Sequence, residues 1–83
     1  MISGIVKSYD LEYTGIDQFC INMKVVLTET NQMIKLEVRG TLNQICTRLN
    51  AIPFHRKPLM KHLDNARCLL YFEEDAYRFY AVT

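Results

Sequence analysis

Two cysteines and two histidines in the second half of the chain are the side chains best suited to binding a metal ion. They are Cys46, His55, His62 and Cys68, with the spacing C-x8-H-x6-H-x5-C. Common zinc sites contain paired ligands only about two to five residues apart, and this spacing has no such pair. Cys46 lies on an apolar helical stripe and Cys68 on an apolar strand face, where cysteine acts as a small hydrophobic residue. We therefore predict no metal site.

The evidence for side chains that could take part in covalent or acid–base catalysis is equally weak. Cys20 is the only thiol expected on a solvent-facing strand face, and a nucleophilic thiol has to be exposed with a lowered pKa. Glu73, Glu74 and Asp75 stand between two strands, which is typical of a solvated turn rather than of a metal site. No glycine-rich phosphate loop follows a strand. We expect a protein that is not an enzyme and uses no cofactor.

The most suggestive pattern is an aromatic and basic strand face near the C-terminus. If Glu74-Asp75 forms a two-residue turn, the facing pairs are 72/77, 70/79 and 68/81 on one face, and 71/78, 69/80 and 67/82 on the other. The first face is expected in the core and consists of Cys68, Leu70, Phe72, Tyr77, Phe79 and Ala81. The second face combines Arg67, Leu69, Tyr71, Arg78, Tyr80 and Val82. Such a face can stack unpaired bases, form a protein interface, or be covered by a helix or barrel wall.

A basic segment precedes this hairpin. Residues 48–67 contain five basic residues and one acidic residue, a net charge of +4 (5 − 1), in a chain whose net charge is +1. Phe54, Arg56 and Lys57 fall in a predicted loop of this segment. Loop cations of this kind can reach a phosphate backbone, or they can simply keep a loop solvated.

The elements that must position these residues are read from the hydrophobic period, which changes at Gly40. Before it, apolar residues alternate along three predicted strands, at about residues 5–13, 18–28 and 33–39. Ile5, Tyr9, Leu11 and Tyr13 are expected on one face of the first strand, and Gly15 is expected to supply a positive φ in the turn that follows. Short turns favour an antiparallel meander.

After Gly40 the spacing becomes helical. Thr41 and Gln44 fit a capping box, and an apolar stripe follows at Leu42, Ile45, Cys46 and Leu49. Pro53 ends this helix, and Pro58 is expected in the first turn of a short second helix. Alternation then returns in a hairpin with strands at residues 67–73 and 76–82.

These elements predict one α+β domain over residues 1–83, with the order β-β-β-α-(α)-β-β. Two architectures use this order: a small five-stranded barrel of the OB type, and an open antiparallel sheet with helices on one face. The sequence pattern leaves both open.

Three cysteines leave at least one thiol unpaired, and the N-terminus has no signal-peptide pattern. No apolar run approaches the length of a membrane span. We therefore expect a cytoplasmic protein that does not contact a membrane.

The expected function is that of a small non-enzymatic binding module. It would act on a protein partner, as an adaptor, regulator or inhibitor, or associate with itself, through the C-terminal hairpin and the adjacent basic loop. The alternative is a module for single-stranded nucleic acid that uses the same residues.

Overall fold

Three long strands at the start of the chain form the predicted antiparallel meander. The computed structural model describes all 83 residues, and its first strands are Ile2–Gly15 (β1), Gln18–Leu27 (β2) and Met33–Gly40 (β3). β2 pairs with β1 on one side and with β3 on the other. In the first turn Asp17, not Gly15, has the positive φ, at 54°. The predicted inward residues of β2 are all buried: Phe19, Ile21, Met23, Val25 and Leu27.

β1 does not keep a single alternation, because a β-bulge interrupts it at Lys7. The pairing of β1 with β2 skips this residue. One extra residue exchanges the two faces of the strand beyond it. Val6 is consequently buried in the same core against which Tyr9 packs, whereas Ile5 lies on the opposite face. The predicted shared face of Ile5 and Tyr9 is wrong for this reason.

The helix Leu42–Leu49 (α1) begins and ends at the residues expected for it. The Thr41 hydroxyl accepts a hydrogen bond from the Gln44 backbone N–H (3.3 Å), and the Gln44 side-chain oxygen accepts one from the Thr41 N–H (2.9 Å). Asn50 closes the helix in the left-handed conformation, and its N–H donates to the Cys46 carbonyl. α1 buries three residues of its apolar stripe, Ile45, Cys46 and Leu49, and leaves the first, Leu42, half-buried.

We expect Thr41→Ala to lower the free energy of unfolding by about 1 kcal/mol, because it leaves an N-terminal N–H of α1 without its acceptor. Urea denaturation followed by circular dichroism measures the change. Thr47→Ala is the matched control, since Thr47 is exposed within the same helix and alanine favours helix. A Thr41→Ala midpoint no lower than that of Thr47→Ala would show that the capping box contributes nothing.

The segment after α1 forms a short separate hairpin, where the sequence predicts a basic loop and a helix. Its strands are Ile52–Phe54 (β4) and Lys57–Leu59 (β5), with Pro53 opposite Pro58. Phe54 and Lys57 close the two-residue turn, and the next pair, Pro53 and Pro58, is a non-hydrogen-bonded pair. Proline, which has no backbone N–H, therefore costs no hydrogen bond at these two positions. The predicted second helix is reduced to one 3₁₀ turn at Lys61–Leu63.

The C-terminal hairpin has the predicted bounds, Arg67–Glu73 (β6) and Ala76–Val82 (β7). Both residues of its turn have positive φ, 53° at Glu74 and 60° at Asp75, as a primed two-residue turn requires. The predicted register holds from the turn to Leu70 opposite Phe79.

Beyond that pair a β-bulge at Tyr80 changes the register. Leu69 pairs with Ala81 and Cys68 with Val82, so the predicted pairs 69/80, 68/81 and 67/82 are wrong. Val82 therefore takes the core-facing place that was predicted for Ala81. Phe72 was also predicted in the core but is 56% exposed, because it lies beside the turn, where its ring packs edge-on against that of Tyr77.

Five strands form one sheet in the order β3-β2-β1-β6-β7. All four pairings are antiparallel, so the edge strands β3 and β7 run in the same direction. They approach each other without pairing, and the sheet is not closed into a barrel. α1 packs on the inner face of the sheet, where a guanidinium N–H of Arg48 donates to the Phe79 carbonyl on β7.

Candidate binding surfaces

The four residues of the metal hypothesis lie in different surroundings. Cys46 and Cys68 are buried, and burial raises the pKa of Cys68 to about 11. His55 is exposed in the β4–β5 turn, whereas Nε2 of His62 lies 2.8 Å from the Leu49 carbonyl oxygen. No three histidine, cysteine or acidic residues are grouped so that they could hold a metal ion.

Cys20 is not on a solvent-exposed surface as the alternation predicted. Only 1% of it is exposed, although it belongs to the outward face of β2. Its thiol lies 3.8 Å from the Asn22 side-chain oxygen, to which it can donate. Burial is the main cause that raises the pKa of this thiol, and this change opposes nucleophilic activation.

The outward face of the sheet is polar over β1, β2 and β3 at the end nearest the β1–β2 turn. A shallow depression of about 840 Å³ lies between two cross-strand rows of side chains there. One row contains Lys24 and Lys35, and the next contains Asp10 and Glu37. The charges of these four residues cancel, so this half of the face attracts neither anions nor cations strongly.

The other half of the outward face carries an apolar stripe across all five strands. Ile5 stands opposite Val26, Val26 opposite Met33, and Leu69 opposite Ala81. Between β1 and β6 the apolar residues are diagonal neighbours, because Ile5 stands opposite Arg67 and Leu69 opposite Ser3. We call the following set the outer stripe: Ile5, Val26, Met33, Leu69, Tyr71 and Ala81. Met33 is 51% exposed and the other members are half-buried.

Two arginines and a second tyrosine border the outer stripe. Arg67 lies opposite Ile5 on β6, and Arg78 lies opposite Tyr71 on β7. Arg78 also forms an exposed ion pair with Glu74, 3.5 Å long, which contributes little to stability. The bulge places Tyr80 beside Ala81, and Tyr80 is 53% exposed.

The remaining predicted binding residues lie on a different part of the molecule. Phe54, Arg56 and Lys57 belong to the hairpin Ile52–Leu59, here called the arm, which contacts α1. One face of the arm also exposes two large apolar side chains that the sequence prediction missed, Ile52 and Leu59, opposite each other. The structure thus separates the predicted continuous surface into two, the outer stripe and the arm.

The members of the outer stripe on β1, β2 and β3 were also missed. Val26 carried a signal, since it is the one aliphatic residue on the otherwise polar face of β2. Lys7 carried another, since a lysine interrupts the face of β1 that was predicted to be apolar. Together they indicate that the two faces of the meander are not uniform along their length.

No helix combines the length and hydropathy needed to cross a lipid bilayer. Comparison of the chain with protein-family models, with curated proteins and with solved structures finds no match.

Proposed function

We propose that this protein is a small non-enzymatic binding module whose outer stripe docks onto a protein partner. The observation that carries the proposal is that apolar side chains lie on all five strands on the face that α1 leaves uncovered. Large uncovered apolar areas on small proteins are commonly interaction sites. An adaptor, regulator or inhibitor acts by this kind of contact alone.

The composition of the outer stripe and its border resembles that of a protein interface. Tyrosine and arginine dominate interface hot spots, and Tyr71, Tyr80 and Arg67 all lie in or beside the stripe. Arg67 has no carboxylate partner within the chain. A partner with an apolar centre and an acidic rim fits this arrangement best.

The strand order supports a protein partner over nucleic acid on this face. We interpret β3-β2-β1-β6-β7, with a helix between β3 and β6, as OB topology with the β3–β7 seam left open. OB folds that bind oligonucleotides use the face of their second and third strands. Here the outward face of β2 and β3 carries no aromatic residue that could stack a base.

The double substitution Tyr71→Ala, Tyr80→Ala tests the proposal. We expect the variant to remain folded and to lose association with its partner or with a second copy, because each aromatic anchor can contribute about 2 kcal/mol or more. Circular dichroism measures folding. Affinity capture from the native host measures partner binding, and size-exclusion chromatography with light scattering measures self-association.

Ile16→Ala is the matched control, since Ile16 is 98% exposed at the distant β1–β2 turn. It should capture the same partner as the parent protein. If the double variant is unfolded, the two tyrosines are required for folding and do not form a free binding surface. A folded double variant that still binds would exclude the outer stripe as the docking surface.

A further inference from the structure

We propose that the arm and the adjacent surface of α1 form a second site, separate from the outer stripe, that binds single-stranded nucleic acid. The first observation is one of charge. Between Glu37 and Asp64 the chain has no acidic residue, and the same stretch holds five of its ten basic residues: Arg39, Arg48, Arg56, Lys57 and Lys61. The stretch covers the end of β3, α1, the arm and the 3₁₀ turn.

Three of these five cations have no partner in the chain. Arg39 forms a 3.0 Å ion pair with Glu37, and Arg48 is held by the Phe79 carbonyl and lies 5.8 Å from the centre of the Phe79 ring. Arg56, Lys57 and Lys61 form no ion pair. Cations without a carboxylate partner are free to contact phosphate groups.

The arm also offers an aromatic platform beside these cations. Phe54 is 53% exposed, and its ring packs edge-on against the His55 ring at a centroid distance of 4.2 Å. Unpaired bases stack on such exposed rings with little regard to base identity. Ile52 and Leu59 extend the same face of the arm with apolar surface.

A depression on α1, the helix that the arm contacts, supplies hydrogen-bonding groups. It holds about 440 Å³ and is lined by Arg39, Asn43, Gln44, Thr47 and Arg48. All five side chains can donate hydrogen bonds, and none is acidic. Most protein–nucleic acid hydrogen bonds go to phosphate and sugar from residues of these types.

The same depression argues against a lipid surface as the occupant. A membrane would accept the apolar side chains of the arm, but it would leave the amide and hydroxyl groups beside α1 without partners. A flexible single strand can follow both parts, with bases on the arm and backbone at the depression.

The chain contains no tryptophan, so Phe54→Trp introduces a single reporter at the arm. We expect a twelve-nucleotide oligothymidylate, or its oligouridylate equivalent, to quench the tryptophan fluorescence through stacking. The logarithm of affinity should fall with the logarithm of salt concentration with a slope of about −2 or steeper. Each phosphate neutralised by Arg56, Lys57 or Lys61 contributes about −0.7, and phosphate contacts to Arg39 or Arg48 add to this. Vesicles of phosphatidylcholine and phosphatidylserine should leave the emission unchanged.

Substitutions in the parent protein, measured with a fluorescein-labelled oligothymidylate, locate the site. Phe54→Ala should weaken binding about tenfold or more, and Arg56→Gln should reduce the salt slope by about 0.7. Lys24→Gln removes an equal charge from the outward face of the sheet and should change neither quantity. His55→Asn with Arg56→Gly places favoured residues in the turn, so it should remain folded and still lose affinity.

Three outcomes would overturn the proposal. The first is a blue shift of the tryptophan emission with anionic vesicles and no quenching by either oligonucleotide. The second is an equal effect of Lys24→Gln and Arg56→Gln, which would show attraction by net charge alone. The third is loss of oligonucleotide binding in the Tyr71→Ala, Tyr80→Ala variant, which would place the nucleic acid on the outer stripe. Retained binding in that variant keeps the two proposals independent.

Discussion

Ile21→Ala is expected to lower the free energy of unfolding by about 2–4 kcal/mol, a large share of the roughly 5 kcal/mol typical of so small a domain. Ile21 is fully buried in the middle of β2, between Leu11 on β1 and Val38 on β3. The substitution removes apolar contacts and leaves a cavity that neighbours on two paired strands cannot easily fill.

Urea denaturation of the two isoleucine variants separates burial from residue type. Ile16→Ala makes the same chemical change at a residue that is 98% exposed, and its midpoint should stay close to that of the parent. If the two variants unfolded at the same urea concentration, the assignment of Ile21 to the core would be wrong.

Gly4→Ala is the second substitution with a large expected effect, a loss of about 1–3 kcal/mol through overpacking. Gly4 is buried where β1 lies between β2 and β6. An added Cβ would lie 2.6 Å from Cγ1 of Val25 and 3.2 Å from the carbonyl oxygen of Val26. The Val25 side chain is stiff about χ1, so its Cγ1 methyl group can move away from the new Cβ only if β1 or β2 shifts.

Gly15→Ala is the control for this prediction. A Cβ at Gly15 would meet only the Gln18 side chain, at 3.7 Å, which is an ordinary van der Waals distance. Thermal unfolding should give Gly15→Ala a midpoint at or slightly above that of the parent, because alanine restricts the unfolded chain. If both variants lost stability to a similar extent, the cause would be the replacement of any strand glycine and not the contact of the new methyl group with Val25.

Local patterns were sufficient to predict most of the elements. The alternation of β2 and the capping box at Thr41 identify their structures because each depends on residues close together in the chain. The strands of the C-terminal hairpin were predicted with their bounds. The pairs nearest to the turn follow once Glu74-Asp75 is taken as a two-residue turn, since such turns set the register beside them.

The structure differs from the sequence prediction where the conformation of a segment depends on how it pairs with another strand. The bulges at Lys7 and Tyr80 cannot be recognised from one strand alone, since each depends on which partner residue is skipped. The arm was missed because Pro53 and Pro58 are usually read as strand breakers. In fact they stand opposite each other as a non-hydrogen-bonded pair of the antiparallel ladder, where neither residue needs a backbone N–H to bond its partner.

The candidate sites show the same limit. The sequence pattern identified Leu69, Tyr71 and Arg78 as one face of a hairpin, and the structure places them together. It could not show that β1 continues this face on the far side of β6, which adds Ile5 to the outer stripe. Nor could it show that the arm contacts α1 and lies apart from the outer stripe, because the position of a hairpin relative to a helix is a tertiary property.

The hydrogen bond from Arg48 to the Phe79 carbonyl bears on how the protein behaves at high concentration. An edge strand with free acceptors is a template on which a strand of another molecule can add, and this is a common start of aggregation. Arg48 occupies one such acceptor in the middle of β7 and places a charge beside it. A foreign strand would have to displace this arginine before it could pair along the whole of β7, so the contact that fixes α1 on the sheet also opposes strand addition at this edge.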